Sequence, residues 1–141
     1  MLIKIFIAIA IIFITTIIHA VGMVIILDSL KKYYGHWKDS FKSHIMWVGG
    51  SILFLFFITL LEVLVWALTF ITFNAIDHFE QALYFSMVTY TTLGYGDVLL
   101  DEHWRLLGSF AAANGIIMFG WTTAIVIAVV QKVYHGTINN K

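Results

Sequence analysis

Three long apolar stretches constrain this chain more than any other feature. They lie between Lys4 and Asp28, between Lys42 and Asp77, and between Arg105 and Lys132. Each is longer than the roughly 20 residues that cross a bilayer as a helix. A spanning segment must satisfy its backbone polar groups internally, which selects helices. There is no proline, so helix breaks must come from glycine or from a change in polarity. Composition agrees: 61% of the chain is apolar and 11% charged, against about 45–50% and about 25% in soluble domains. A water-soluble globule and a disordered tail are excluded. The expected fold class is an all-α membrane protein with three transmembrane helices. The first stretch also invites a signal-peptide reading, with Ala20 at a candidate cleavage position. Its apolar run continues to Leu27 without a polar cleavage region, so a retained span is expected.

Charge sets the expected direction. Lys31, Lys32, Lys38 and Lys42 fall between the first two spans, and Lys132 and Lys141 follow the third. The opposite side has Lys4 and Arg105 beside Asp77, Glu80, Asp97, Asp101 and Glu102. The Lys-rich loop and C-terminus are therefore expected in the cytoplasm and the N-terminus outside, in a plasma membrane. The eight basic and eight acidic residues cancel, leaving no electrostatic footprint for nucleic acid. Cysteine is absent, which removes disulfides and thiolate chemistry. Leu30, Tyr33, Tyr34, Trp37, Phe41 and Ile45 recur at helical spacing among the lysines. This suits an amphipathic interfacial helix with its lysines towards anionic lipid and Gly35 as a candidate bend; a polar linker is the alternative.

Residues 77–104 are too short for a domain and too apolar for a simple loop. Asp77 and Glu80 read as a capping pair opening a short helix that Gln81 to Thr91 continues. Then comes Thr91-Thr92-Leu93-Gly94-Tyr95-Gly96-Asp97. Its two glycines permit backbone angles closed to other residues.

The string from Thr92 to Asp97 resembles the selectivity-filter signature of potassium channels, with leucine where valine is commonest. The resemblance covers residues 46–132 and implies an outer helix (46–73), a pore helix (77–91), a filter (92–97) and an inner helix (105–132). A first transmembrane helix (1–27), the interfacial segment (28–45) and a short tail (133–141) complete the chain. Carbonyls of Thr92, Leu93, Gly94 and Tyr95, with the Thr92 hydroxyl, would replace the hydration shell of K+, and Gly96 would complete the filter. One chain supplies one oxygen per ring, so the resemblance implies a homotetramer whose permeant ion is K+, with no cofactor. Leu93 and Tyr95 would point away from the axis and pack against the pore helix.

Filter support carries over to Tyr84, Phe85, Val88 and Asp97, with Tyr84 placed to hydrogen-bond Asp97. Val88 stands where some relatives have glutamate. The pore helix would aim its negative end, near Thr91, at the cavity. In the third span, Arg105 and Gly115 match a family arginine and the hinge glycine. Glycine frees a helix to bend, and close packing between helices is the competing reading of Gly115. Ile116, Phe119, Thr123 and Ile127 would line the cavity and its constriction.

Glu62, near mid-bilayer, is a functional-site candidate by default. Its depth matches that of Asn114, and Thr15 and Thr16 reach a similar level. A protonated Glu62 bonded to Asn114 would couple the outer helix to the hinge; a neutral carboxyl bonded to a backbone carbonyl is the alternative. Residues 5–27 carry no lysine or arginine, which argues against an arginine-based voltage sensor. Only Val133 to Lys141 follow the third span, so no attached sensor domain is expected. His36, His44 and His135 fall on the Lys-rich side, and histidine is the side chain that changes charge near neutral pH; a plain interfacial role is the competing reading. Histidines and carboxylates show no close ligand spacing and no nucleophile or phosphate-loop string, so an enzyme is not expected. The expected function is a potassium-selective channel. A weakly selective cation channel of the same fold and a non-conducting subunit of a larger assembly are the alternatives.

Overall fold

The computed structural model describes residues 2–33 and 41–138, as four helices and their connections. They are α1 (Leu2–Tyr33), α2 (Phe41–Thr72), α3 (Phe79–Tyr90) and α4 (Arg105–Ile138). No strand occurs among the described residues. Within α1, α2 and α4, the segments Leu2–Lys32, Lys42–Thr72 and Arg105–Val133 are long and apolar enough to cross a membrane.

All three long helices run further than expected, and α4 continues beyond residue 132 to Ile138. α1 continues beyond residue 27 to Tyr33, and α2 begins at Phe41 rather than residue 46. Lys31 and Lys32 occupy the last turn of α1, where cations complement the negative helix end. Lys31 also pairs with Asp28 at 3.2 Å. Thirty-two residues make about 48 Å of helix, more than the ~30 Å of hydrocarbon, so polar end turns reach beyond it. Residues 28–33 and 41–45 of the expected interfacial segment are thus parts of α1 and α2. Its remainder, with Gly35, His36, Trp37 and Lys38, lies outside the described residues, as does the Lys141 end of the tail.

α2 ends in a Schellman motif. The Ala75 N–H donates to the Phe70 carbonyl at 2.8 Å and the Asn74 N–H to Ile71 at 3.0 Å. Asn74 takes the left-handed conformation, φ 49°, which asparagine accepts readily. The chain reverses there and enters α3. The expected Asp77–Glu80 capping pair does not form. His78, extended and without a side-chain cap bond, is the N-cap, and Glu80 sits in the first turn. The carboxylate there still faces the positive helix end.

α1 and α3 both pack against α2 and α4. One apolar cluster, towards the α2–α3 turn, gathers Trp66, Phe70, Ala82, Tyr90, Leu107 and Ala111. A second, at the other end, gathers Ile26, Leu30, Leu55, Ile125, Val129 and Val133. Between them lie fully buried polar side chains: Thr15, His19, Glu62 and Asn114. At its N-terminal end α1 is tied to the loop before α4, where the Lys4 ammonium donates to the His103 carbonyl and lies 5.6 Å from the Trp104 ring centre.

Candidate functional site: an ion-channel pore segment

The segment after α3 has an unusual backbone. The Thr92 N–H donates to the Thr89 carbonyl at 3.0 Å and the Leu93 N–H to Val88 at 2.9 Å. This is a second Schellman motif, but here threonine holds the left-handed position, φ 59°. A β-branched residue there is a true outlier, costing of order 1–3 kcal/mol, and such outliers gather at functional sites. Gly94 and Gly96 follow with φ of 56° and 77°. Positive φ therefore recurs at every second residue from 92 to 96, with Leu93 and Tyr95 between. The glycines were legible in the sequence; the third member, Thr92, was not, because threonine rarely accepts this conformation.

Side chains brace the segment from behind. The Tyr84 hydroxyl donates to Asp97 Oδ2 at 2.6 Å, and the Val98 N–H donates to Asp97 Oδ1 at 3.1 Å. The Tyr84 bond holds the Asp97 carboxyl below its ordinary pKa. Phe85 meets Phe70 edge-on, ring centres 5.2 Å apart. Val88 is buried, and its carbonyl also takes the Gly94 N–H at 3.2 Å. Leu93 and Tyr95 keep much of their surface open within this chain. They are 55% and 68% exposed, and a cavity lined by Tyr84, Val88, Thr89, Gly94 and Asp97 remains behind the segment.

α4 presents two faces. Ala111, Asn114, Met118, Ile125 and Val129 face the other helices. Ile116, Phe119, Thr123 and Ile127 are all exposed, and their helical spacing puts them on one stripe. Gly115 lies inside the unbroken helix, where a Cβ would fall on the Tyr90 carbonyl oxygen. Its missing side chain is thus used for close approach of α3. Arg105 Nε donates to the Leu100 carbonyl at 3.3 Å, holding the connection into α4.

A family profile described as ion channel matches residues 58–132, just over half of the 141-residue chain. The chain belongs to this ion-channel family. The domain is the two-helix type found in potassium channels, and here α2 and α4 are its spanning helices with α3 between. No curated protein and no solved structure matches the chain. The channel is a multi-pass membrane protein, and its family points away from enzymatic chemistry.

The channel's buried polar layer corrects the pairing expected for Glu62. Glu62 does not meet Asn114. Its Oε1 lies 2.8 Å from His19 Nδ1, and its Oε2 accepts from the Tyr90 hydroxyl at 2.7 Å. His19 Nε2 lies 3.4 Å from the Thr122 hydroxyl. Asn114 Nδ2 instead donates to Thr15 Oγ1 at 2.8 Å. The physical reason is α1: it supplies Thr15 and His19, one helical turn apart, to two different neighbours. Equal depth did bring Asn114 to Thr15. A titratable residue in each of two spans was the one sequence signal for His19 and Glu62, and nothing in the sequence tied either to Tyr90.

Proposed function

We propose that the protein is a potassium-selective channel that conducts passively as a homotetramer. The observation that carries this reading is the alternation of positive φ at Thr92, Gly94 and Gly96 directly after a short helix between two spans. Alternating handedness turns successive carbonyls towards one side, the arrangement needed for stacked oxygen rings. Backbone carbonyls from Thr92 to Tyr95 then replace the water lost by K+. The exposed Leu93 and Tyr95 and the exposed stripe of α4 leave apolar surface to be covered, which supports assembly with further copies around a common axis.

In that assembly Tyr84, Phe85, Val88 and Asp97 support the filter from behind, and the negative end of α3 favours a cation in mid-membrane. Ile116, Phe119, Thr123 and Ile127 line the inner passage, where apolar rings close a pore by dewetting. Gly115 lets α4 lie directly against the end of α3. The contact of Lys4 with His103 supports an N-terminus on the filter-mouth side, outside the plasma membrane. Lys31, Lys32 and Lys42 then face anionic lipid at the cytoplasmic surface. Ions move down their gradient and no cofactor takes part.

Flux from purified protein in liposomes tests this reading. A K+ flux that exceeds Na+ flux at least ~100-fold and is blocked by Ba2+ is expected. Equal fluxes establish a weakly selective channel. No flux, with co-purification of a conducting partner, establishes a non-conducting subunit.

A further inference from the structure

α1 lies outside the matched channel segment, which starts at residue 58, and carries no lysine or arginine between residues 5 and 27. Its mid-helix residue His19 is nevertheless fully buried, as is Glu62 on α2. Their contact, 2.8 Å, lies well inside two helices that cross the membrane. Both oxygens of the Glu62 carboxyl are engaged, the second by the Tyr90 hydroxyl at 2.7 Å. Tyr90 is the last residue of α3 and stands two residues before the strained Thr92. It is held from two sides: its hydroxyl by Glu62, its carbonyl against Gly115 of α4.

We propose that α1 is a positioning element for the filter, acting through the side-chain sequence His19, Glu62 and Tyr90. The groups facing this unit are Glu62 from α2, Tyr90 from α3 and the Thr122 hydroxyl from α4, with the Trp121 ring 4.9 Å from His19. Water does not reach a carboxyl at this depth, so its hydrogen bonds must come from these partners. His19 holds one oxygen and thereby fixes the carboxyl rotamer. The other oxygen then fixes the ring of Tyr90 and the final turn of α3. That turn carries the Val88 and Thr89 carbonyls that hold Thr92, Leu93 and Gly94. A shift at Tyr90 therefore reaches the first filter residues without passing through any flexible side chain. The histidine is a positioning residue, acting at a distance from the ion.

The inference rests on the potassium-channel reading for one readout and is independent of it for the other. Full-length protein in liposomes is compared with Tyr90→Phe, His19→Ala, Glu62→Ala, Glu62→Gln and Thr16→Val. Thr16 bonds the Ile12 carbonyl of its own helix and is the control. The readouts are the K+/Na+ flux ratio and hydrogen exchange of the peptide spanning residues 91–96. Tyr90→Phe, His19→Ala and Glu62→Ala should each speed exchange there about tenfold and lower the flux ratio at least ~5-fold. Glu62→Gln should recover most of both, since an amide oxygen still accepts from Tyr90 and the amide N–H remains available to the His19 ring. Thr16→Val should match wild type. Wild-type exchange in His19→Ala overturns the proposal, even where Tyr90→Phe is altered, because α1 then plays no part. Unchanged flux ratio in all three disruptive variants of a conducting channel also overturns it. A wild type that passes no K+ refutes the potassium reading alone, and exchange still decides whether α1 positions the segment.

Discussion

Gly115 of α4 lies against the carbonyl of Tyr90 so closely that no side-chain carbon fits between them. The contact fixes the end of α3 on α4 at the level of the buried polar layer. It also gives the glycine a function distinct from bending.

Gly115→Ala should therefore lower stability by about 1–3 kcal/mol through overpacking, with a matching fall in melting temperature of the detergent-solubilised protein. Gly120→Ala is the comparison, because nothing lies within 4 Å of its added carbon; it should stay within ~0.5 kcal/mol of wild type. Normal stability with altered opening in Gly115→Ala would show that the hinge, and not the close contact, is what this glycine serves.

Thr92→Gly separates strain from ligation. Removing a β-branched residue from a left-handed position relieves of order 1–3 kcal/mol, partly offset by about 0.5–1 kcal/mol of glycine entropy. Stability should hold or rise. The hydroxyl proposed as an ion ligand is lost, so the K+/Na+ flux ratio should fall. A variant that keeps full selectivity would remove that hydroxyl from the ion pathway.

Asp97 supplies a pH dependence. The hydrogen bond from Tyr84 is the main cause of its lowered pKa, with desolvation acting in the opposite sense. A depressed folded-state pKa means that the stabilisation is present above the ordinary carboxylate value. It disappears as pH falls through the lower folded-state value. Acidifying the filter-mouth side should therefore weaken flux only below the ordinary carboxylate range in wild type. In Tyr84→Phe the loss should begin at higher pH. A flux–pH curve unmoved by Tyr84→Phe would contradict the coupling.

Asn114 and Thr15 test the second polar contact of α1. Asn114 Oδ1 is buried without a hydrogen-bond partner among the described residues, while Nδ2 reaches Thr15. Interhelical bonds of this kind average about 0.6 kcal/mol in membranes. Asn114→Leu and Thr15→Val should each be mild, within ~1 kcal/mol, and the double variant should cost less than their sum. Additive effects in reversible unfolding would mean the two side chains do not interact.

Much of the pore was legible in the chain itself. Three apolar runs, lysines gathered between the first two, and the Thr92 to Asp97 string placed the spanning helices, the short α3 and the segment after it. The bond between Tyr84 and Asp97 follows the expected pairing. The cap at Asp77 did not, because the helix starts two residues later, behind His78.

What the sequence determined by itself was periodicity, depth and local backbone freedom: which residues cross the bilayer, how far each lies from its end, and where glycine permits a left-handed turn. Tertiary structure decided the partners. Glu62 and Asn114 lie at similar depth, yet each meets a different residue of α1. Depth along a helix is a count of residues at a fixed rise; azimuth and neighbour come from how the helices pack. The same holds for Thr92, whose left-handed backbone is imposed by the carbonyls of Val88 and Thr89 against its own preference.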